Sequence, residues 1–339
     1  MALTRRTRKH LEGKTIDVHS HVGVSLKAYA AVEYPYAQTI EGLAYRQRSA
    51  AVDVNVVFPF TADLYFDPAK LLDGEMVPAS RPISPTPYAV ENRLLLREVF
   101  DYCPELSDRF LPFVCVDPAR DVDGQSAELR RLASAYPVYG VKVNPVLCQS
   151  KAIELLGRGG ALLDFAEERN IPLLFHASPV AEDEYSRAED VFRVIEARPR
   201  LRFCLAHCVL FYKDFLRRAD DAPNIWVDTA AMKIQVQLVS EWLGREIPRD
   251  AVIDADYSDH LAVMRTICEA FPHTMLWGSD SPAYSYICRR KQGEGMYREF
   301  RYKATYEDEV DALRTLPTDL RRKVAGTNTL DFLFGTEAG

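Results

Sequence analysis

Short apolar runs rich in valine, isoleucine, leucine and phenylalanine recur along the chain, separated by segments in which apolar residues follow helical spacing. The runs are found at residues 15–21, 54–60, 109–117, 138–145, 171–178, 201–208, 224–230 and 274–280. Each run is apolar almost throughout, which is typical of a strand that is covered on both faces. The alternation predicts repeated βα units and a parallel sheet.

The segments between the runs carry helix signals. Segment 159–170 places Leu162 and Phe165 about one helical turn apart, and a second predicted helix ends at Pro199. Eight alternations within about 270 residues suit a single α/β (β/α)8 barrel, with a doubly wound open sheet as the alternative. The two differ in one respect that matters for function, because only a closed barrel brings the first and eighth strands side by side.

Two longer connections interrupt this regularity. Residues 61–88 follow the second strand and contain five prolines. Compact domains rarely keep so long a loop without a use, so we expect an active-site lid or an oligomer contact there. Residues 233–258 follow the seventh strand and are expected to contain a helix of their own. The chain is therefore predicted to be one barrel domain over residues 1–339, with insertions after strands 2 and 7.

The composition narrows the classes of function. The chain of 339 residues is 47% hydrophobic and 27% charged, with a net charge of −7, and its basic residues are scattered. This balance argues against a nucleic-acid partner. No uninterrupted apolar stretch is long enough to cross a bilayer, and the seven cysteines form no C-x-x-C pair, so we expect a cytoplasmic protein with reduced thiols. The expected partner is a small-molecule substrate, and binding to a membrane is not expected. Whether the chain forms a homo-oligomer is left open.

Polar side chains occupy the carboxyl ends of the predicted strands, which is the end of a (β/α)8 barrel where substrates bind. They are His19 and His21 on strand one, Lys142 on strand four, His176 on five, His207 on six, Asp228 on seven and Asp280 on eight. Four of the seven histidines of the chain are thus predicted to meet at one end of the barrel.

The H-x-H pair on the first strand indicates a metal site. Residues two apart on a strand point to the same side, so His19 and His21 can both present a ring nitrogen to one ion. His176 and Asp280 would complete a ligand set with room for water, as in catalytic zinc sites. Taken alone, His176 or His207 is more simply a hydrogen-bonded core histidine, but their joint occurrence with the H-x-H pair favours a metal centre.

The remaining candidates allow several interpretations. Lys142 is a carboxylated bridge between two metal ions, a cation for the substrate, or a lysine whose ammonium reaches the barrel mouth. Asp228 is interpreted as a structural hydrogen-bond acceptor in preference to a catalytic group. Tyr284, Arg289 and Arg290 follow the eighth strand and are candidate substrate-binding residues for a carboxylate and an apolar or aromatic ring. The alternative for these three is a solvated or packed loop residue.

The assembled motifs resemble the amidohydrolase superfamily. They are DVHSH, GVKVNP, FHAS, LAHC, WGSDSP and the closing VAGTNTLDFLFG. The resemblance covers nearly the whole chain and is to the amidohydrolase-2 branch, which includes aminocarboxymuconate-semialdehyde decarboxylase, resorcylate-type decarboxylases and several lactonases. Thr329 stands where alanine is usual in the last motif. This branch is usually mononuclear, which weighs against the bridging interpretation of Lys142.

The resemblance implies a cofactor and roles for the site residues. One divalent ion is expected, zinc first and manganese as an alternative. The resemblance assigns His19, His21, His176 and Asp280 as its ligands. It also implies that His207 contacts the substrate or the metal-bound water.

Two chemistries and one non-catalytic role follow from these expectations. The preferred prediction is a metal-dependent hydrolase that attacks a small, carboxylate-bearing amide, lactone or ester with a metal-activated water. Asp280 would accept the proton of that water, and His207 would steady the polarised oxygen or act as an acid. The alternative is a non-oxidative, metal-dependent decarboxylase of an aromatic or unsaturated acid. A non-catalytic metal-binding barrel is less expected, because it has no need of an acid–base pair.

Overall fold

A computed structural model describes residues 5–30, 36–180, 183–293 and 296–336, without the side chains of 30, 72, 289–293 and 296–297. The eight barrel strands are β1 (Ile16–His21), β2 (Val54–Phe58), β3 (Phe110–Val116), β4 (Gly140–Val143), β5 (Leu173–Phe175), β6 (Phe203–Leu205), β7 (Ile225–Asp228) and β8 (Met275–Leu276). They pair in parallel and in chain order within one sheet. The eight predicted strands and the predicted barrel are confirmed.

The sheet closes between β1 and the segment that follows β8. The Asp280 N–H donates to the carbonyl of His19 at 2.8 Å, and the His21 N–H donates to the carbonyl of Ser281 at 2.7 Å. The open doubly wound sheet is therefore wrong, because its first and last strands would not pair. The same two hydrogen bonds place the end of β1 beside Asp280.

Helices cover the outside of the barrel. The α-helices are α1 (Leu26–Ala30), α2 (Ile40–Ala50), α3 (Pro68–Leu72), α4 (Ala89–Arg97), α5 (Val122–Ala135), α6 (Pro145–Cys148), α7 (Gly160–Glu168), α8 (Ala188–Ala197), α9 (Lys213–Asp220), α10 (Met232–Trp242), α11 (His260–Ala270), α12 (Tyr306–Arg314), α13 (Thr318–Arg322) and α14 (Asn328–Phe334). Short 3-10 or π turns lie at Arg8–His10, Glu98–Tyr102, Pro104–Arg109, Ala152–Leu156, His207–Phe211 and Lys323–Thr327. Within the described residues, no helix is both long and apolar enough to span a membrane.

The barrel interior is apolar away from the strand ends. Every residue of β1 and β3 is buried, as expected for strands covered on both faces. Phe332 of α14 packs against Phe113 of β3 and Trp226 of β7. The seven cysteines are buried free thiols. Polar chemistry is thus concentrated at the carboxyl ends of the strands.

Some connections between the barrel strands match what the sequence predicted, and others were not predicted. Residues 61–88 contain α3 and an isolated bridge between Phe66 and Pro78, and their role as a lid or contact stays a prediction. Helix α10 lies in the second long connection, where a helix was expected. An antiparallel hairpin of β9 (Tyr286–Gly293) and β10 (Met296–Tyr302) follows β8 and was not predicted. Short strands Gly23–Val24 and Ala37–Gln38 also pair antiparallel.

Candidate metal centre

The two histidines of β1 both face Asp280. The Nε2 atoms of His19 and His21 each lie 3.2 Å from Oδ1 of Asp280. This arrangement follows from the strand geometry, because side chains two apart share a side of β1 and the barrel closure brings Asp280 beside them. The three side chains that the sequence placed together by their spacing are thus in contact.

Asp280 Oδ1 is the atom that tests whether a metal ion fits. It is buried and accepts no hydrogen bond from the residues that the structure describes, although two imidazole nitrogens stand beside it. A buried carboxylate oxygen without a donor costs free energy. A divalent ion would satisfy that oxygen and both nitrogens together, and nitrogen and carboxylate oxygen are common ligands of zinc. The donor set fits a metal ion.

His207 completes a compact group with two of these residues. One ligand atom from each of His19, His207 and Asp280 lies within 4.8 Å of the others. The Nδ1 atom of His207 lies 3.1 Å from the carbonyl of Ala230 and must donate to it, since a carbonyl only accepts. In the neutral ring, Nε2 of His207 is then the atom with a free lone pair.

His176 lies next to His207, outside this compact group. Their ring centroids are 5.0 Å apart, whereas the ring of His207 is 5.1 Å from that of His19. The backbone N–H of His176 donates to the carbonyl of Val143, which fixes its position at the end of β5. The predicted site residues therefore come together, with His207 inside the compact group and His176 beside it.

Asp228 makes a contact that the sequence did not reveal. Its Oδ2 accepts a hydrogen bond from Nδ1 of His19 at 2.8 Å, and its Oδ1 accepts from the backbone N–H groups of His207 and Ala230 at 2.9 and 3.0 Å. The first contact requires the His19 proton on Nδ1 and leaves Nε2 free to face Asp280. Burial alone would raise the pKa of Asp228, but the contact with His19 lowers it to about 2.

Asp17 ties β1 to the segment after β8. Its Oδ1 accepts from the backbone N–H groups of His19 and Ser279, at 3.1 and 3.0 Å. Its Oδ2 accepts from the hydroxyls of Ser20 and Ser279 and from the amide of Asn55. Full burial raises the pKa of Asp17 to about 6. Asp17 therefore supports the backbone on which His19 and Asp280 stand.

Lys142 is buried at the centre of the site. Only 1% of its surface is exposed, so the interpretation as a lysine reaching solvent at the mouth is wrong. Its Nζ lies 3.4 Å from Nε2 of His19 and 4.9 Å from the ring centroid of Phe58. Burial lowers the pKa of Lys142. The bridging and substrate-cation interpretations both remain compatible with this position.

The electrostatics favour neutral imidazoles at His21, His176 and His207 and an ionised Asp280. Burial lowers the pKa of His21 to about 4 and also lowers those of His176 and His207. Burial would lower the pKa of His19 as well, but Asp228 and Asp280 raise it above its usual value. Burial raises the pKa of Asp280, and the nearby imidazoles more than reverse that effect. Neutral imidazole and ionised carboxylate are the forms that bind metal ions.

An aromatic wall lies along one side of the site. The His21 ring stacks on Phe60 with centroids 4.7 Å apart and planes 12° apart, and Phe60 stacks on Tyr36. Phe58 contacts both His19 and His21 edge-on. The signal for this wall was present in the apolar run at 54–60, which carries two phenylalanines at its end.

The remaining substrate-binding candidates lie in and before the hairpin. Tyr284 is half-buried and packs against the apolar core. Arg289 and Arg290 lie on β9, and their backbones pair with Glu299 and Arg298. Their side chains are outside the described part of the chain, so their role in binding stays a prediction.

Comparisons with known proteins place this site in a family. A family model described as amidohydrolase matches residues 16–335. A probable 2-pyrone-4,6-dicarboxylic acid hydrolase from Acinetobacter baumannii, with citric acid bound, is 15% identical and has a TM-score of 0.55, covering 94% of this chain and 99% of that one. An amidohydrolase from Burkholderia multivorans with bound zinc is 12% identical, with a TM-score of 0.56 and coverage of 95% and 99%.

A third similar structure is the IDCase of Metarhizium anisopliae in its apo form. It is 11% identical, with a TM-score of 0.51 and coverage of 95% of this chain and 97% of that one. At these identities the likeness shows a shared fold alone. No curated protein matches the chain.

Proposed function

Since the chain belongs to the amidohydrolase family, we propose that it is a metal-dependent hydrolase of a small, carboxylate-bearing amide, lactone or ester. Family membership supports an enzyme of the hydrolase or carboxy-lyase kind. The observation that carries the proposal is Oδ1 of Asp280, which is buried, lacks a hydrogen-bond donor and lies 3.2 Å from two imidazole nitrogens. That arrangement suits a metal ion better than a hydrogen bond.

The proposed ligands are His19, His21, His176 and Asp280, and the proposed ion is zinc, with manganese as the alternative. Three imidazoles and one carboxylate oxygen form a donor set that zinc accepts while keeping a position for water. The zinc in the Burkholderia multivorans structure supports this choice. His207 is assigned to the substrate and the water because the family resemblance gives it that role, although its free Nε2 and its place beside His19 and Asp280 also suit a ligand.

A divalent ion in this place would lower the pKa of a coordinated water and polarise a carbonyl group. The residues of the chain then handle protons and orientation. Asp280 accepts the proton of the attacking water, because its carboxylate form is favoured at neutral pH. Neutral His207 accepts a hydrogen bond from the water at Nε2 and orients it. The proton that Asp280 takes from the water then passes through His207 to the leaving group.

Lys142 is the proposed partner of a substrate carboxylate. It is buried next to His19, and burial lowers its pKa whereas Asp228 and Asp280 raise it. In its protonated form Lys142 would bind a carboxylate brought by the substrate. The dicarboxylic acid in the name of the Acinetobacter baumannii protein is consistent with such a substrate.

A second candidate function is non-oxidative decarboxylation of an aromatic or unsaturated acid. The aromatic residues Phe58 and Phe60 beside His21 give the site an apolar side, which is compatible with an aromatic substrate. The similarity to the Metarhizium anisopliae IDCase is compatible with this alternative. A panel of lactones, amides and aromatic acids separates the two, since hydrolysis releases acid and decarboxylation releases CO2.

Metal analysis tests the centre itself. Protein prepared without chelator should hold about one divalent ion per chain. His176→Ala should lose most of that ion, whereas His207→Ala should keep it and lose most turnover. Two ions per chain would favour a bridging Lys142, and no uptake of zinc or manganese would refute the metal mechanism. Equal retention by the two variants would show that ligand and proton-transfer roles are divided differently.

A further inference from the structure

Gln38 is a buried amide whose four hydrogen-bonding positions are all used. It ends the short strand Ala37–Gln38 and is 7% exposed. Its Nε2 donates to the carbonyls of His21 at 2.7 Å and Ser281 at 3.2 Å. Its Oε1 accepts from the hydroxyl of Ser281 at 2.9 Å and from the guanidinium of Arg46 at 2.5 Å.

The partners of Gln38 fix which way its amide points. Two carbonyl oxygens on one side can only accept, so the NH2 group must face them. The guanidinium of Arg46 on the other side can only donate, so Oε1 must face it. The reversed amide would oppose oxygen to oxygen and nitrogen to nitrogen. The orientation therefore follows from the partners.

These partners lie at the seam of the barrel, where β1 pairs with the segment after β8 and where the proposed ligands His21 and Asp280 stand. His21 is itself a proposed ligand, and Ser281 directly follows Asp280. The backbone N–H of His21 also donates to the carbonyl of Ser281 at 2.7 Å. At this point the seam is therefore held by one backbone hydrogen bond and by the side chain of Gln38. Asp17 holds the same seam two residues earlier, at His19 and Ser279.

We infer that Gln38 is a positioning residue of the metal centre, which sets the separation of His21 and Asp280 through the backbone carbonyls of His21 and Ser281. This inference rests on the metal centre proposed above. Gln38 supplies no ligand and acts through the backbone of two residues that do. Ligand geometry must be held within about 0.5 Å for full function. Removing the hydrogen bonds from Gln38 to these carbonyls should therefore weaken metal binding without abolishing it.

The test is Gln38→Glu, which keeps the size of the side chain and its bonds to Arg46 and to the Ser281 hydroxyl. The carboxylate cannot donate, so the carbonyl of His21 loses the Gln38 donor, the carbonyl of Ser281 keeps only the N–H of His21, and both face an oxygen. Gln38→Met, similar in length and uncharged, serves as the second variant. Both should bind about one zinc ion at saturation, with a Kd about 10- to 100-fold above that of the unaltered protein, as for other residues that support ligands.

A matched control is available at Gln125. This residue is 2% exposed and donates to the carbonyls of Asp117 and Arg120, while its Oε1 accepts from the N–H of Asp117. It repeats the bonding pattern of Gln38 away from the metal centre. Gln125→Glu should lose thermal stability while its zinc Kd stays unchanged. The comparison separates a general loss of stability from a loss of ligand positioning.

Two readouts besides activity decide the matter. Competition with a chromophoric chelator gives the zinc Kd, and the visible absorption of the cobalt-loaded protein reports ligand geometry. We expect both to change in the Gln38 variants and neither to change in Gln125→Glu. Gln38 variants with unaltered Kd and cobalt spectrum, an equal effect in Gln125→Glu, or unfolding of both Gln38 variants would overturn the inference. Absence of zinc binding by the unaltered protein would instead refute the proposed function.

Discussion

Asp228→Asn tests whether Asp228 sets the proton position on His19. Oδ1 of Asp228 accepts from the backbone N–H groups of His207 and Ala230, so the single oxygen of asparagine should stay on that side. Its NH2 group then faces Nδ1 of His19, where the carboxylate oxygen stood at 2.8 Å. Nδ1 must become the acceptor, and the ring proton must move to Nε2. That nitrogen is the one that faces Asp280 and would bind the metal ion.

The expected loss is a fraction of the metal-binding free energy. Removing a partner that orients a metal-binding histidine costs about 10- to 100-fold in affinity, which is about 1.4–2.7 kcal/mol. The loss should fall on the zinc Kd, because no ligand is deleted. Competition with a chelator measures it, and nitrogen NMR of histidine-labelled, metal-free protein should show His19 protonated at Nε2 in the variant and at Nδ1 in the unaltered protein.

Asp117→Asn is the control for this experiment. Asp117 is fully buried and accepts from the backbone N–H groups of Ala119 and Arg120, but it lies outside the metal centre. It should lose stability without a change in zinc Kd. If Asp228→Asn keeps both the zinc Kd and the Nδ1-protonated form of His19, Asp228 does not orient His19 and the reasoning fails.

Two further predictions concern the free energy of unfolding. Ala51 follows α2 with φ of 56°, a conformation in which glycine is not strained. Ala51→Gly should therefore raise the free energy of unfolding, measured with denaturant, by about 1 kcal/mol. Ala50→Gly, inside α2, should lower it. Burial raises the pKa of Glu91 to about 7 from an ordinary value of 4.5, so the folded protein holds this proton more tightly and loses stability as pH rises through that window. Glu91→Gln, which keeps an oxygen for the N–H of Leu64, should gain about 3 kcal/mol relative to the unaltered protein between pH 4 and pH 8. A constant difference between the two proteins across that range would contradict the assignment.

The barrel was predictable because its signal is local and repeated. Strands covered on both faces appear as apolar runs, and all eight runs coincide with β1 to β8. The hairpin of β9 and β10 was missed because its apolar residues form no continuous run. Cys288, Phe300 and Tyr302 pack together, and Phe300 and Tyr302 alternate with charged residues. The period-2 pattern was present, but the charged positions made the segment resemble an exposed loop.

The sequence predicted which residues form the candidate site, but it did not predict which contacts they make. Strand ends carry His19, His21 and Asp280 to one place, which the (β/α)8 fold alone requires. The hydrogen bond from His19 to Asp228 joins residues 209 positions apart, and it depends on the rotamers of both side chains. The burial of Lys142 similarly depends on how Phe58 and the histidines fill the mouth. Spacing along the chain carries no information about either feature.

The turn that carries His207 shows why some features of a site leave no trace in residue types. Five consecutive residues, His207 to Phe211, have φ between 45° and 62°, and none is a glycine. Each such residue costs roughly 1–2 kcal/mol, so the surrounding structure must hold the turn in place. The Ile253 N–H donates to the carbonyl of Phe211, whose buried ring packs against Tyr257. Strain of this kind persists where the structure around it fixes a functional side chain. His207 donates hydrogen bonds from its backbone N–H to Asp228 and from Nδ1 to the carbonyl of Ala230, and these place its imidazole beside Asp280. The strained turn therefore positions a side chain of the proposed metal centre.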